Sequence, residues 1–257
     1  MSEPGEPISV AIRRAEKQGR PAMVGFMTAG FPDRASFRRN LAAIAAEADV
    51  VEIGIPFTDP MADGMTIQRA SHIALQDGFT LPWLLDELDS VQPRPAAPLL
   101  LMSYLNPLLA FGFERLAARA QAAGIAGFII PDLPFEEGHD IRATLGRAGL
   151  GLVQMVTPVT PDDRMKLLCA ASGGFVYAVT MTGTTGKTVS VPDAVLEYMD
   201  RVRAVSPVPV CAGFGIRSAE QVSRMHGHVD GVVVGSALVE VLERGEDPAA
   251  FLKSLRA

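Results

Sequence analysis

Aromatic residues are scarce in this chain of 257 residues: one Trp, three Tyr and twelve Phe, 6% in all. A composition that is 48% hydrophobic must therefore build its core from Ala, Val, Leu, Ile and Met. Cysteine is scarcer still. Cys169 and Cys211 lie far apart, with no metal-ligand spacing and no disulfide framework, which implies reduced core thiols in a cytoplasmic protein. No uninterrupted apolar run reaches membrane-spanning length. The segment 1–7 lacks the basic-then-apolar order of a signal peptide. Basic charge is also short: 23 Lys and Arg against 29 Asp and Glu leave a net charge of −6. That balance argues against nucleic acid and anionic membranes as partners. An anionic small substrate would need a local site of backbone amides. No Pro/Gly/Ser-rich linker or charge block divides the chain, so it reads as one domain over 1–257.

Eight short apolar runs recur, at 23–28, 50–55, 99–104, 127–130, 152–156, 175–180, 208–212 and 231–234. Helical patterns rich in Ala, Leu, Arg and Glu lie between them, at 34–47, 81–91, 114–123, 136–148, 161–171, 194–204 and 219–226. Strand–helix alternation at this pace implies parallel strands with right-handed crossovers. Eight units in a chain of this length match a (β/α)8 barrel. The alternative is an open doubly wound sheet. No strand-like run is followed by a full G-x-G-x-x-G fingerprint, and the nearest, Gly213-Phe214-Gly215-Ile216-Arg217-Ser218, comes late, which speaks against a dinucleotide fold.

The run Val51-Glu52-Ile53-Gly54-Ile55-Pro56-Phe57-Thr58-Asp59-Pro60-Met61-Ala62-Asp63-Gly64 holds an acid in mid-strand and two more in the loop beyond it. Alternation puts Val50, Glu52 and Gly54 on one face and Val51, Ile53 and Ile55 on the other. A carboxylate there costs several kcal/mol unless it is paired, protonated or put to use. In a barrel, Glu52 would point inward near the end of strand two, with Asp59 and Asp63 above the same opening. An inward Glu with a desolvation-raised pKa can move protons near neutral pH. Asp63, nearer water, could stay ionised and accept a hydrogen bond from a substrate N–H. A turn role suits Asp59, before Pro60, better than a site role. For Asp63, before Gly64, the two roles weigh equally.

Glycine-rich turns follow the last three strands: Gly183-Thr184-Thr185-Gly186, Gly213-Phe214-Gly215 and Gly235-Ser236. Barrel enzymes often hold phosphate on the loops after strands seven and eight and on a helix N-terminus. His226 and His228 flank Gly227 at the opposite end of a barrel unit and read as a solvated turn, not a metal pair. The methionines read as core filler. Tyr104, Tyr177 and Phe214 are either core residues or walls of an aromatic-substrate pocket.

With these residues placed, the chain resembles the α subunit of tryptophan synthase, from about residue 8 to the C-terminus. The segment Glu52 to Gln68, EIGIPFTDPMADGMTIQ, is similar to that family's most specific motif. Supporting matches are Phe26-Met27-Thr28-Ala29-Gly30, Met102-Ser103-Tyr104-Leu105-Asn106-Pro107 and Pro131-Asp132-Leu133-Pro134. Thr182-Gly183-Thr184-Thr185-Gly186, Gly213-Phe214-Gly215-Ile216 and Val234-Gly235-Ser236-Ala237 complete the set. The resemblance implies a single α/β (β/α)8 TIM barrel with an extra N-terminal helix. It implies retro-aldol cleavage of indole-3-glycerol phosphate to indole and glyceraldehyde 3-phosphate, a carbon–carbon lyase step in tryptophan biosynthesis. Glu52 matches the general acid/base, and Asp63 the acid that binds the indole N–H. Phe26, Tyr104, Tyr177 and Phe214 match the indole pocket. Gly186, Gly215, Gly235 and Ser236 match the phosphate amides, and Thr185 falls on the loop that closes over substrate. No cofactor or metal is expected in this chain; pyridoxal phosphate belongs to a β subunit, expected in an α2β2 heterotetramer that meets this chain at 56–64 and at Asn106-Pro107. A stand-alone lyase, or a non-catalytic activator of β, are the alternatives. Met65 stands where many members carry proline, Met181 replaces a polar or basic residue, and Lys187-Thr188-Val189-Ser190 stands where an arginine-containing sequence is common.

Overall fold

A computed structural model describes residues 3–180, 191–213 and 215–256. Its eight strands close into a parallel ring in chain order. They are β1 (Ala22–Thr28), β2 (Val50–Gly54), β3 (Leu99–Met102), β4 (Ile125–Ile129), β5 (Gly151–Val156), β6 (Val176–Val179), β7 (Val210–Gly213) and β8 (Gly231–Val234). The ring closes where β8 pairs back onto β1, with Ala22 beside Gly231. Around it run α1 (Glu6–Lys17), α2 (Phe37–Glu47), α3 (Met65–Gln76), α4 (Leu81–Ser90), α5 (Leu105–Phe111), α6 (Phe113–Ala122), α7 (His139–Arg147), α8 (Asp162–Ala171), α9 (Asp193–Val205), α10 (Ala219–Met225), α11 (Ser236–Glu243) and α12 (Pro248–Ser254).

Strand alternation sorts the core into two layers. Val51 and Ile53 face outward and pack with Leu41, Ile44, Leu84 and Leu85 of the helices. Val24, Val50, Leu100, Val153, Cys211 and Val233 face inward and meet Ile8, Ala11, Ile12 and Ala15 of α1. Those four α1 positions are spaced three and four apart, so they form one apolar stripe. The extra N-terminal helix is thus a plug across the floor of the barrel. Glycine makes the close approach possible: a Cβ on Gly151 would lie 2.8 Å from the Gly173 carbonyl oxygen and 2.9 Å from the Gly5 Cα. The Ser9 hydroxyl pins the plug by donating to the Gly174 carbonyl at 2.5 Å.

Two buried acids lock the floor. Asp49 accepts the Met23 N–H (2.9 Å) and both terminal nitrogens of Arg20 (2.7 and 2.8 Å). Asp230 accepts the Val210 N–H (2.7 Å) and the Arg203 guanidinium (3.0 Å). Each ties the loop before one strand to the first turn of a neighbour, with its charge compensated on the spot.

Element edges depart from the sequence reading for local reasons. The third strand stops at Met102, because Tyr104 is the N-cap of α5. The helix expected from 34 opens as a single 3-10 turn, Arg34–Ser36, capped by Asp33, which accepts the Ser36 N–H at 2.8 Å. The helix expected from 136 begins at His139, after turns in which Glu137 and Gly138 donate to the carbonyls of Pro134 and Phe135. The seventh strand starts after Pro209, which has no N–H to give.

Candidate active site

Glu52 sits beside Phe26 of β1 and Leu100 of β3 in the ring. Val50, two residues earlier, belongs to the inner layer, so the pleat carries Glu52 into the barrel as well. Its side chain lies near the C-terminal mouth, its residue is 1% exposed, and its Oε2 has no hydrogen-bond partner among the described residues. Burial pushes its pKa from 4.5 up to about 8, and the negative charge of Asp63 adds to the rise. At neutral pH this carboxyl is mostly protonated and can give a proton.

The second acid comes from the loop joining β2 to α3. Asp63 is half-buried, and its main chain is fixed twice: its N–H donates to the Pro60 carbonyl (3.3 Å), and its carbonyl accepts from Gln68 Nε2 (2.8 Å). Burial lifts its pKa from 3.8 to about 6, against the hydrogen bond of the Tyr104 hydroxyl, which pulls it down. That hydroxyl also accepts the Ala62 N–H at 2.9 Å. The Tyr104 ring stacks on Phe57, with centroids 5.4 Å apart and planes 30° apart. With pKa values of about 6 and about 8, Asp63 is mostly ionised at pH 7 and Glu52 mostly protonated, a separation of the kind two-carboxyl acid–base sites use. Asp59 is exposed and accepts the neighbouring Thr58 hydroxyl at 2.5 Å, so it is a turn residue outside the mouth.

The walls are set by glycines. A Cβ on Gly54 would lie 2.6 Å from the Phe26 ring, and one on Gly213 would lie 2.4 Å from the Tyr177 ring. Each ring packs against a strand position that offers it no side chain. Tyr177 is half-buried; the pKa of its hydroxyl is driven up by burial and then by the charges of Glu52, Cys211 and Asp63, so it shares their interior. Phe26, Thr28, Asp63, Met102 and Tyr104 line one narrow pocket. Thr28, which sequence reasoning passed over as part of a strand, is 1% exposed, with no partner for its hydroxyl among the described residues. Phe57 was equally hidden, since its contact with Tyr104 spans 47 residues of sequence.

Gly235 caps α11 and Ser236 is its first residue, so their amides stand at the positive end of the helix. Gly215 turns the chain after β7 in the left-handed region, at φ +69°. A Cβ on Gly215 or Gly235 would meet none of the described residues within 4 Å. Arg217, beside this corner, is committed to Glu240, with contacts of 2.7 and 2.9 Å. Thr185, Gly186 and Phe214, together with Met181 and 187–190, lie outside the described residues. His228 pairs with Asp200 at 2.9 Å on the floor side, and among the described residues no cluster of three or more His, Cys, Asp or Glu could hold a metal.

A closed (β/α)8 barrel that gathers carboxyls and aromatic rings at its C-terminal mouth has the architecture of a TIM-barrel enzyme. Residues 12–256 match the family model described as tryptophan synthase alpha chain. The chain is 44% identical over 244 residues to the tryptophan synthase alpha chain of Nitratidesulfovibrio vulgaris strain DP4, covering 95% of each. It is 40% identical over 248 residues to that of Bacillus cereus strain AH820, covering 95% of this chain and 96% of the relative. Among solved structures it resembles a chain of tryptophan synthase from M. tuberculosis, in an open form with BRD0059 bound (TM-score 0.88, 31% identity, 97% of both chains). It also resembles a chain from the Pyrococcus furiosus tryptophan synthase a2b2 complex (TM-score 0.86, 32% identity, 92% of this chain and 98% of that one). This chain belongs to the tryptophan synthase alpha chain family. The family's reaction is a lyase step in tryptophan biosynthesis, cleavage of indole-3-glycerol phosphate, for which the alpha chain needs no cofactor of its own.

Proposed function

We propose that Glu52 and Asp63 carry the retro-aldol cleavage of indole-3-glycerol phosphate to indole and glyceraldehyde 3-phosphate in this chain. The observation that carries the reading is the buried Glu52 carboxyl, whose Oε2 has no partner among the described residues and whose pKa is pushed up to about 8, sharing the barrel mouth with Asp63, whose pKa is about 6. The chemistry needs both. The bond between indole C3 and the hydroxyl-bearing side-chain carbon breaks once C3 is protonated, because the ring then accepts the bonding pair and regains aromaticity. Protonated Glu52 supplies that proton. The resulting carboxylate takes the proton of the side-chain hydroxyl as the carbonyl of the aldehyde forms, so the net transfer is from hydroxyl oxygen to C3. Positive charge develops on the ring nitrogen in between, and the Asp63 carboxylate offsets it through the indole N–H. General acid–base groups contribute about 10²–10⁴-fold.

Phe26, Tyr104, Tyr177 and Phe214 wall the indole. Gly186, Gly215, Gly235 and Ser236 hold the phosphate, with the amide-lined turns and the α11 dipole supporting that assignment. Thr185 closes over the bound substrate. The chain works as one domain, in the cytoplasm, as the α part of an α2β2 complex to whose pyridoxal-phosphate-dependent β subunit it passes indole. Both thiols are free and buried, and among the described residues no helix is long and apolar enough to cross a membrane. Met61, Met65 and Leu109 are 83%, 74% and 53% exposed on the β2–α3 loop, the start of α3 and α5. Apolar surface of that extent at the mouth supports a partner there.

Indole release from the isolated chain, then with a cognate β subunit added, tests the reading. Release by the chain alone that rises with β is expected. No release alone, with β turnover still raised, would identify a non-catalytic activator. Fast release indifferent to β would identify a stand-alone lyase.

A further inference from the structure

We propose that the Tyr104 hydroxyl is a positioning group: it ties the β2–α3 loop to the barrel mouth by accepting the Ala62 N–H and donating to the Asp63 carboxylate. The inference rests on the assignment of Asp63 as the anion that meets the indole ring. Tyr104 is 41 residues from Asp63 in sequence and 3% exposed in the fold. Its ring is held on one side by the Phe57 stack. Its main chain is held by the helix start that follows, where the Leu105 N–H donates to Asp132 at 2.8 Å. A ring fixed this way has one place to put its hydroxyl. The Ala62 N–H, 2.9 Å away, takes an acceptor position on the oxygen and leaves the O–H proton to be given. Asp63, the residue after Ala62, lines the same narrow pocket as Tyr104, and its carboxylate stands as the acceptor of that proton; the pull of this hydroxyl opposes burial at Asp63. An ionised carboxylate accepts this bond better than a protonated one, so the contact favours the form of Asp63 that the chemistry uses.

The arrangement clasps the loop at two points. Phe57 near its start and Ala62 near its end both rest on one tyrosine. Asp63 therefore cannot drift from the mouth without breaking a stack and a hydrogen bond together. Among the described residues, the other groups that act electrostatically here are Glu52 of β2, Tyr177 of β6 and Asp132 beyond β4; Gln68 of α3 holds the Asp63 carbonyl. None of these three supplies Asp63 with a fixed positive charge, so among the described residues the Tyr104 hydroxyl is the side-chain group that lowers its pKa.

Tyr104→Phe keeps the ring, the stack and the wall and removes only the hydroxyl. Indole release by this variant should show kcat reduced about tenfold with KM for indole-3-glycerol phosphate changed less, the scale of one hydrogen bond to a charged group. The acid limb of the pH profile should move to higher pH by about one unit. In an Asp63→Asn background the same change should lower the remaining rate by less than about twofold, since both variants break one interaction. Phe57→Leu, which loosens the stack but keeps the hydroxyl, should move the acid limb in the same direction by less, and it stands in if Tyr104→Phe does not fold. If Asp63→Asn is impaired while the acid limb of Tyr104→Phe stays put, or the two effects multiply, Tyr104 is a wall and nothing more. If Asp63→Asn is fully active, the assignment of Asp63 has failed, and the positioning role with it.

Discussion

Replacing Glu52 with glutamine should stabilise the folded chain in alkaline solution. The buried carboxyl has a folded-state pKa of about 8 against an ordinary 4.5, so the folded chain holds a proton here that the unfolded chain releases. With the folded value raised, the stability contributed is full below pH 4.5, falls as pH rises through the window, and levels off above about 8. That window corresponds to about 5 kcal/mol at about 1.4 kcal/mol per pH unit. Glutamine has nearly the same shape and never ionises, so it escapes the loss. Between pH 5 and 8.5 the gap between Glu52→Gln and the native chain should widen in the variant's favour by up to about 4 kcal/mol. Urea unfolding of both proteins at the two pH values measures it, and the comparison cancels the titrating groups that do not interact with Glu52. Parallel behaviour, with the gap changing by less than about 1.4 kcal/mol, would mean that Glu52 is solvated or paired, and the desolvation argument would collapse. A gain in stability at the expense of activity is the usual mark of a strained functional group.

The rate of indole release should be bell-shaped in pH, because Asp63 must be ionised and Glu52 protonated: lost as pH falls through about 6 and as it rises through about 8. Asp63→Asn removes a negative neighbour of Glu52 and should move the alkaline limb to lower pH while leaving measurable activity; an unmoved limb would show that the two acids do not interact. Gly235→Val should fold normally, since a Cβ there meets none of the described residues within 4 Å, yet raise KM for the phosphorylated substrate while sparing binding of indole itself; equal damage to both would signal a general defect. Gly213→Ala should force Tyr177 aside, lowering stability by about 1–3 kcal/mol and slowing turnover, checked by thermal melting and the indole assay. A fully native Gly213→Ala enzyme would show that the ring's place on β7 is unimportant.

The alternation of Val50, Glu52 and Gly54 was enough to place the acid inside a barrel, because a period of two has only two faces and one of them carries Glu52. The ring and its order were equally legible, since eight apolar runs separated by helical patterns leave few topologies. What stayed hidden depends on contacts between distant residues. Nothing near Tyr104 in sequence says that its hydroxyl meets Ala62, or that it ends a strand by capping a helix. Asp49 and Asp230 look like ordinary loop acids until the fold brings Arg20, Arg203 and two strand amides to them. The pocket glycines, Gly54 and Gly213, read as turn or strand-end residues, and their role appears only when the rings of Phe26 and Tyr177 lie across them. Sequence pattern reports faces and periods; it carries no direct record of which side chains meet across the mouth.

Single-turnover cleavage of indole-3-glycerol phosphate by Glu52→Gln is the most direct measurement. The amide can neither give nor take the proton at C3, so the rate should fall at least 10²–10⁴-fold while the substrate still binds. A variant that cleaves at near-native speed would place the proton transfers on another group and contradict the account.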